Sequence, residues 1–101
     1  MGWATTYIAE LKAGRQVAFR PTGNSMTPRI KPKELCTVVP LVETDTLEKG
    51  DVVLCSVNGS QFLHIVTAVQ GDHVQISNNH NYVNGWTGRA QVYGKLVSVT
   101  P

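Results

Sequence analysis

The sequence predicts a mainly β protein: a coiled antiparallel sheet or partly open barrel behind one short N-terminal helix. Two observations carry that expectation. After Gly14 the chain alternates stretches rich in Val, Ile, Leu and aromatic residues with short segments of turn chemistry, and only the residues before Gly14 show helical spacing. With 101 residues, 42% of them hydrophobic and 16% charged, the chain is long enough for one core, so 1–101 is read as a single domain. Its helical part is 1–15 and its β core 16–101.

Tyr7, Ile8 and Leu11 form a short apolar stripe at helical spacing between Ala4 and Ala13, and Gly14 supplies a C-terminal stop. Thr5 or Thr6 is the candidate cap, with Trp3 packing back. A helix this short needs the rest of the fold for support, and it is expected to be an accessory rather than part of the core. Six strands are then expected, at Gln16 to Thr22, Leu35 to Leu41, Asp51 to Val57, Gln61 to Val69, His73 to Ser77 and Gln91 to Val99. Asn58-Gly59 is the strongest hairpin signal. The polar stretch Asn78 to Gly88 shows no clear strand pattern and reads as a long loop, of the kind that often carries function.

A formal charge of +2 is too small to announce a nucleic-acid or anionic-membrane partner, and no direct nucleic-acid contact is expected. The basic cluster Arg29 to Lys33 is broken by Pro28 and Pro32 and reads as a solvated turn. Cys36 and Cys55 sit inside apolar runs, as buried thiols of a reducing compartment do. The opening residues lack the basic start and apolar core of a signal peptide, and no run is long enough to span a bilayer. A soluble, cytoplasmic protein is expected. His64, His73 and His80 follow one another at spacings that match no compact zinc motif. Neither metal nor cofactor is expected.

The sharpest local feature is Gly23-Asn24-Ser25-Met26-Thr27-Pro28, directly after a predicted strand. Glycine permits an unusual backbone conformation and proline stops regular structure, so a small hydroxyl is held on a tight turn. Such a turn exposes Ser25 Oγ and aims nearby N–H groups at a developing oxyanion, as acyl transfer requires. Taken alone, the six residues also suit an ordinary polar turn. On the strand Phe62-Leu63-His64-Ile65-Val66, period-two geometry puts Phe62, His64, Val66 and Ala68 on one face. The imidazole there is either a base shielded from water or a core histidine bonded to backbone. Asn84-Gly85-Trp86-Thr87-Gly88-Arg89 holds a tryptophan near an arginine, which suits a recognition surface or the closure of a barrel end.

With these segments in place, the chain resembles the signal-peptidase and LexA-like serine peptidases over roughly Val17 to Val99. Those families carry a Gly-x-Ser-Met motif, Gly-Asp turns and a base-bearing strand. Gly23 to Met26 matches the first, Gly50-Asp51-Val52-Val53 and Gly71-Asp72 match the turns, and Lys33-Glu34 is a diverged counterpart. The resemblance implies Ser25 as nucleophile, His64 as base in the place of the usual lysine, and Gly23, Asn24 and Met26 as turn or oxyanion support. A histidine titrates near neutral pH without the desolvation that lysine needs. The histidine-bearing relatives orient their base with an aspartate, and Asn78 and Asn79 stand at that place, with Asp72 as an alternative.

The implied activity is a serine endopeptidase that hydrolyses or self-processes peptide bonds through an acyl-enzyme. The alternative is an inert or weakly active module, of the kind a phage or bacterial regulatory protein would use, that binds a peptide or protein in the same cleft; a homodimer is a further expectation. LexA-type repressors cleave themselves at an Ala-Gly or similar bond; here a helix stop is expected to account for Ala13-Gly14, and a self-cleaving repressor is expected to need its DNA-binding part from another chain or a missing half.

Overall fold

The chain folds into one helix, α1 (Thr5–Lys12), and seven strands. These are β1 (Val17–Phe19), β2 (Leu35–Pro40), β3 (Val52–Val57), β4 (Ser60–Gln70), β5 (His73–Ser77), β6 (Val83–Gly88) and β7 (Val92–Thr100). The structure is a computed structural model that describes residues 2–101; Met1 lies outside the described residues. All strands belong to one antiparallel sheet in the order β1-β2-β7-β3-β4-β5-β6, so β1 and β6 are its edges and the barrel stays open.

Local chemistry places the turns. Asn58 (φ 49°) and Gly59 (φ 84°) both take left-handed backbone between the paired residues Val57 and Ser60, a two-residue hairpin loop that matches strand twist. At the end of α1, Gly14 (φ 85°) lets its own N–H reach Leu11 O at 3.0 Å and the Arg15 N–H reach Glu10 O at 3.0 Å. That pair of bonds is a Schellman stop and accounts for Ala13-Gly14. Neither threonine caps the start of α1. Instead Gln61 of β4 does so from outside the helix: its Oε1 accepts the Ala4 N–H at 2.7 Å and its Nε2 donates to Thr5 Oγ1 at 3.0 Å.

β3 is covered on both faces, which is why Val-Val-Leu-Cys reads as a continuous apolar run. Val52 and Leu54 join a core with Phe19, Cys36, Val38, Leu63 and Ile65, while Val53, Cys55 and Val57 join a second with Val66, Val74, Ile76 and Val92. Ala4, Ile8 and Leu11 of the helical segment are buried in the first core. The helix is therefore part of the core and not an accessory: burying Ile8 and Leu11 contributes about 1.5–3 kcal/mol each. Both cysteines are buried free thiols, and burial pushes Cys55 up to about 12.

Two further expectations, on the strands, are corrected. The first strand covers only Val17–Phe19, and the following residues leave the sheet. A seventh strand, β6, occupies the second half of the stretch read as a loop. Its Asn, two Gly and outward Trp hide any apolar alternation, and its ladder is supplied by β5 alone, a requirement set by the neighbour and invisible locally.

The sheet coils at four register shifts, in β2–β7, β3–β7, β4–β5 and β5–β6. Gly94 lies beside the second, where α1 crosses β7. A Cβ there would stand 2.6 Å from Val38 Cγ1, 2.8 Å from Val39 O and 2.9 Å from Leu11 Cδ1. Because Val39 O is backbone and cannot swing aside, Gly94→Ala is expected to destabilise the fold by about 1–3 kcal/mol, read as a lower urea midpoint at unchanged slope.

Candidate active site

Residues 20–24 run from the end of β1 to a compact turn anchored by two buried side chains, Met26 and Ile30. Gly23 takes φ 93°, the Thr27 N–H donates to Asn24 O at 3.2 Å and the Ile30 N–H to Met26 O at 2.9 Å. Ser25 is left exposed between the glycine and the methionine anchor. Its own N–H donates to no protein acceptor among the described residues. The segment Gly23 to Met26 thus holds a hydroxyl outward, and each of Gly23, Asn24 and Met26 contributes to the turn.

His64 stands on β4 opposite Val53 and is only 7% exposed. Its Nε2 lies 3.1 Å from Ser25 Oγ, and its Nδ1 lies 2.7 Å from Asn84 Oδ1. The Phe62 ring stacks on the imidazole at 4.8 Å and 24°. An amide oxygen accepts only, so Nδ1 carries the proton and Nε2 presents a lone pair to the Ser25 hydroxyl. Burial lowers the His64 pKa below the ordinary histidine value, and the hydrogen bond to Asn84 partly offsets this.

The residue on Nδ1 is not one of those expected there. Asn84 is the extra residue of the β5–β6 register shift, since Ser77 pairs with Val83 and Ile76 with Gly85. Such a bulge re-aims one side chain out of the alternating pattern. Gly85 follows at φ 141°, with Val57 Cγ1 only 3.1 Å from the place of a Cβ. The available signal was that glycine, because an isolated Gly within a strand marks a bulge or a close approach.

Asn78, Asn79 and Asp72 do other work. Asn78 Oδ1 accepts the His80 N–H at 2.8 Å and the Tyr82 N–H at 3.0 Å, shaping the loop before β6. The Asn79 N–H donates to Ser25 O at 2.9 Å and its Nδ2 to Thr27 O at 3.0 Å, so this side chain braces the serine turn and not the imidazole. His80 Nε2 adds a bond to Asn24 O at 2.9 Å. Asp72 pairs with its neighbour His73 at 2.9 Å on the β4–β5 turn. The three histidines are thus dispersed, and among the described residues no three His, Cys, Asp or Glu side chains are grouped to hold a metal ion. Trp86 is exposed on edge strand β6.

Ser25 and His64 open onto a cleft of about 580 Å³. One wall is aromatic: Phe19 meets Trp3 edge-on at 5.5 Å and stacks on Tyr7 at 4.5 Å. Another is the first half of β4, whose residues Ser60–His64 pair with β3 alone, because pairing with β5 starts at Ile65. The cleft therefore runs along an unpaired strand edge.

A coiled antiparallel sheet with a turn-borne serine beside a strand-borne imidazole at such a cleft is a peptidase-like fold. The family described as Peptidase S24-like matches residues 4–97, and the chain belongs to that family. No curated protein sequence matches it. Among the described residues no helix is long and apolar enough to cross a membrane.

The lowered His64 pKa has a sign for stability. The folded protein prefers neutral imidazole, whereas the unfolded chain takes up a proton near the ordinary value of about 6.5. The contribution is whole above that pH and is lost as pH falls from there toward the lower folded-state pKa. Urea midpoints measured across this window are expected to fall with pH, and His64→Gln is expected to flatten that part of the profile.

Proposed function

We propose that the chain is a serine endopeptidase in which Ser25 is the nucleophile, His64 the general base and Asn84 the residue that fixes the base. What supports this reading is the continuous run from Ser25 Oγ to His64 Nε2, 3.1 Å, and from His64 Nδ1 to Asn84 Oδ1, 2.7 Å. Ser25 Oγ attacks the carbonyl carbon of the scissile bond while its proton passes to His64 Nε2. The carbonyl oxygen becomes an oxyanion within reach of the free Ser25 N–H. Collapse breaks the C–N bond, and His64 returns the proton to the leaving amine. A water molecule, deprotonated by His64, then attacks the acyl-enzyme, and the departing Ser25 Oγ recovers that proton as the acid product leaves.

Asn84 sets the level of activity to expect. In the serine-protease template, asparagine in place of the aspartate lowers kcat about 10⁴-fold because the imidazole adopts the wrong tautomer. Here the amide oxygen faces Nδ1, which keeps the productive tautomer, and only the negative charge is missing. The neutral third residue also favours a second reading, a module that holds a peptide along the open edge of β4 as an added strand.

Labelling by a fluorophosphonate probe, followed by intact mass, separates the two. An adduct on Ser25 is expected, absent in Ser25→Ala and formed about 10²–10⁴-fold more slowly in His64→Ala. Its rate is expected to rise with pH through an apparent pKa below the ordinary histidine value. Lack of a Ser25-dependent adduct from neutral to mildly alkaline pH overturns the peptidase reading and leaves the binding module. Asn84→Asp places a carboxylate on Nδ1; the expected result is a faster plateau rate and a pH profile displaced upward, since a neighbouring anion favours imidazolium.

A further inference from the structure

We infer that the cleft is built for an extended peptide carrying a bulky aromatic side chain with a carboxylate within a residue or two of it. This rests on the reading of the cleft as a peptide site and names the class of peptide.

The aromatic preference follows from what the far wall offers. Trp3 is 51% exposed, packs edge-on against Phe19 and has its indole N–H committed to Gln61 O at 3.0 Å. The polar atoms of Gln61 are likewise occupied, by the Ala4 N–H and by Thr5 Oγ1. What remains for a ligand at this end is mostly ring surface, from Trp3 and Tyr7 over the buried Phe19, with the Tyr7 hydroxyl as a polar group that has no partner among the described residues. A small side chain would leave that surface wet, whereas a ring placed edge-on or offset against it gains contact and removes water.

Distance along β4 locates the preference relative to the serine. Gln61, which fastens Trp3, precedes His64 by three residues, or about 10 Å at the rise of a β-strand. A peptide laid along the open edge of β4 advances at the same rise. Its aromatic residue would therefore sit about three positions from the bond presented to Ser25.

Charge supplies the second requirement. Among the described residues Arg20 and Lys31 are the only charged ones that line the cleft, and both are exposed. Arg20 spends one Nη on Lys33 O at 2.8 Å, leaving the rest of its guanidinium without a protein acceptor among the described residues. The nearby Glu34 accepts the Lys31 backbone N–H and does not line the cleft. Two cations in a cleft lined by no carboxylate among the described residues favour a carboxylate on the ligand and disfavour a basic one.

Selection of a randomised peptide library on the Ser25→Ala protein tests this. Enrichment of Phe, Tyr or Trp with Asp or Glu within two residues is the expected outcome. Replacing the aromatic residue of an enriched peptide by Ala should weaken its binding about tenfold or more, measured by fluorescence anisotropy. Replacing its acidic residue by Lys should weaken binding several-fold at low salt and less at high salt. Trp3→Ala, outside the core, should erase the aromatic preference, and Arg20→Glu with Lys31→Glu should invert the charge preference. Enrichment of small residues, enrichment without either feature, or no enrichment overturns the inference. Probe labelling of the unmodified protein reports separately: Ser25 labelling without this peptide preference removes the inference alone, and the preference without labelling removes the peptidase reading alone.

Discussion

β4 changes its partner midway, and the geometry of the cleft follows from that exchange. Its first residues pair with β3 and its last with β5, with the overlap near Ile65 and Val66. Because β3 and β5 lie on opposite edges of β4 and are offset along it, one edge of Ser60–His64 is left without a strand partner. On that edge Gln61 O accepts the Trp3 indole N–H, which ties the N-terminal residues to the cleft wall. His64 stands one residue before the exchange, at the end of that edge. The same half-strand fastens helix α1 through Gln61, which brings Trp3 and Tyr7 across from it.

The segment between β5 and β6 ties the two halves of the site together. Asn79 and His80 bond to the backbone of the serine turn, and Asn84 bonds to the imidazole. One short stretch therefore sets the position of Ser25 and the tautomer of His64 at once. Movement of this stretch would disturb both. Phe62 covers the ring, and burial lowers its pKa, so the neutral form of the imidazole is favoured.

Much of this was legible because it depends on local chemistry. Asn58-Gly59 specifies its hairpin by backbone conformation alone, Gly14 specifies the helix stop, and Gly23 with Met26 specifies a turn that exposes the serine between them. The apolar run of β3 marks Val53 as a strand residue, and the period-two pattern of β4 does the same for Phe62, His64 and Val66. What escaped was of another kind. The share of the helix in the core depends on what Ala4, Ile8 and Leu11 meet, and β6 is a strand because its neighbour makes it one, so neither is written in the local residues.

By itself, then, the sequence determined a β-rich domain, the exposed Ser25 turn and a histidine on an apolar strand, since backbone preferences and alternation act over a few residues. Only the tertiary structure decided which residue meets that histidine on its other side. Asn78, Asn79 and Asn84 are chemically equivalent in the chain, and a one-residue bulge between β5 and β6 sends the last of them to Nδ1 while the second is drawn to the serine turn. The physical reason is that register is a relation between strands: a shift of one residue re-aims a side chain, and nothing within a single strand records it.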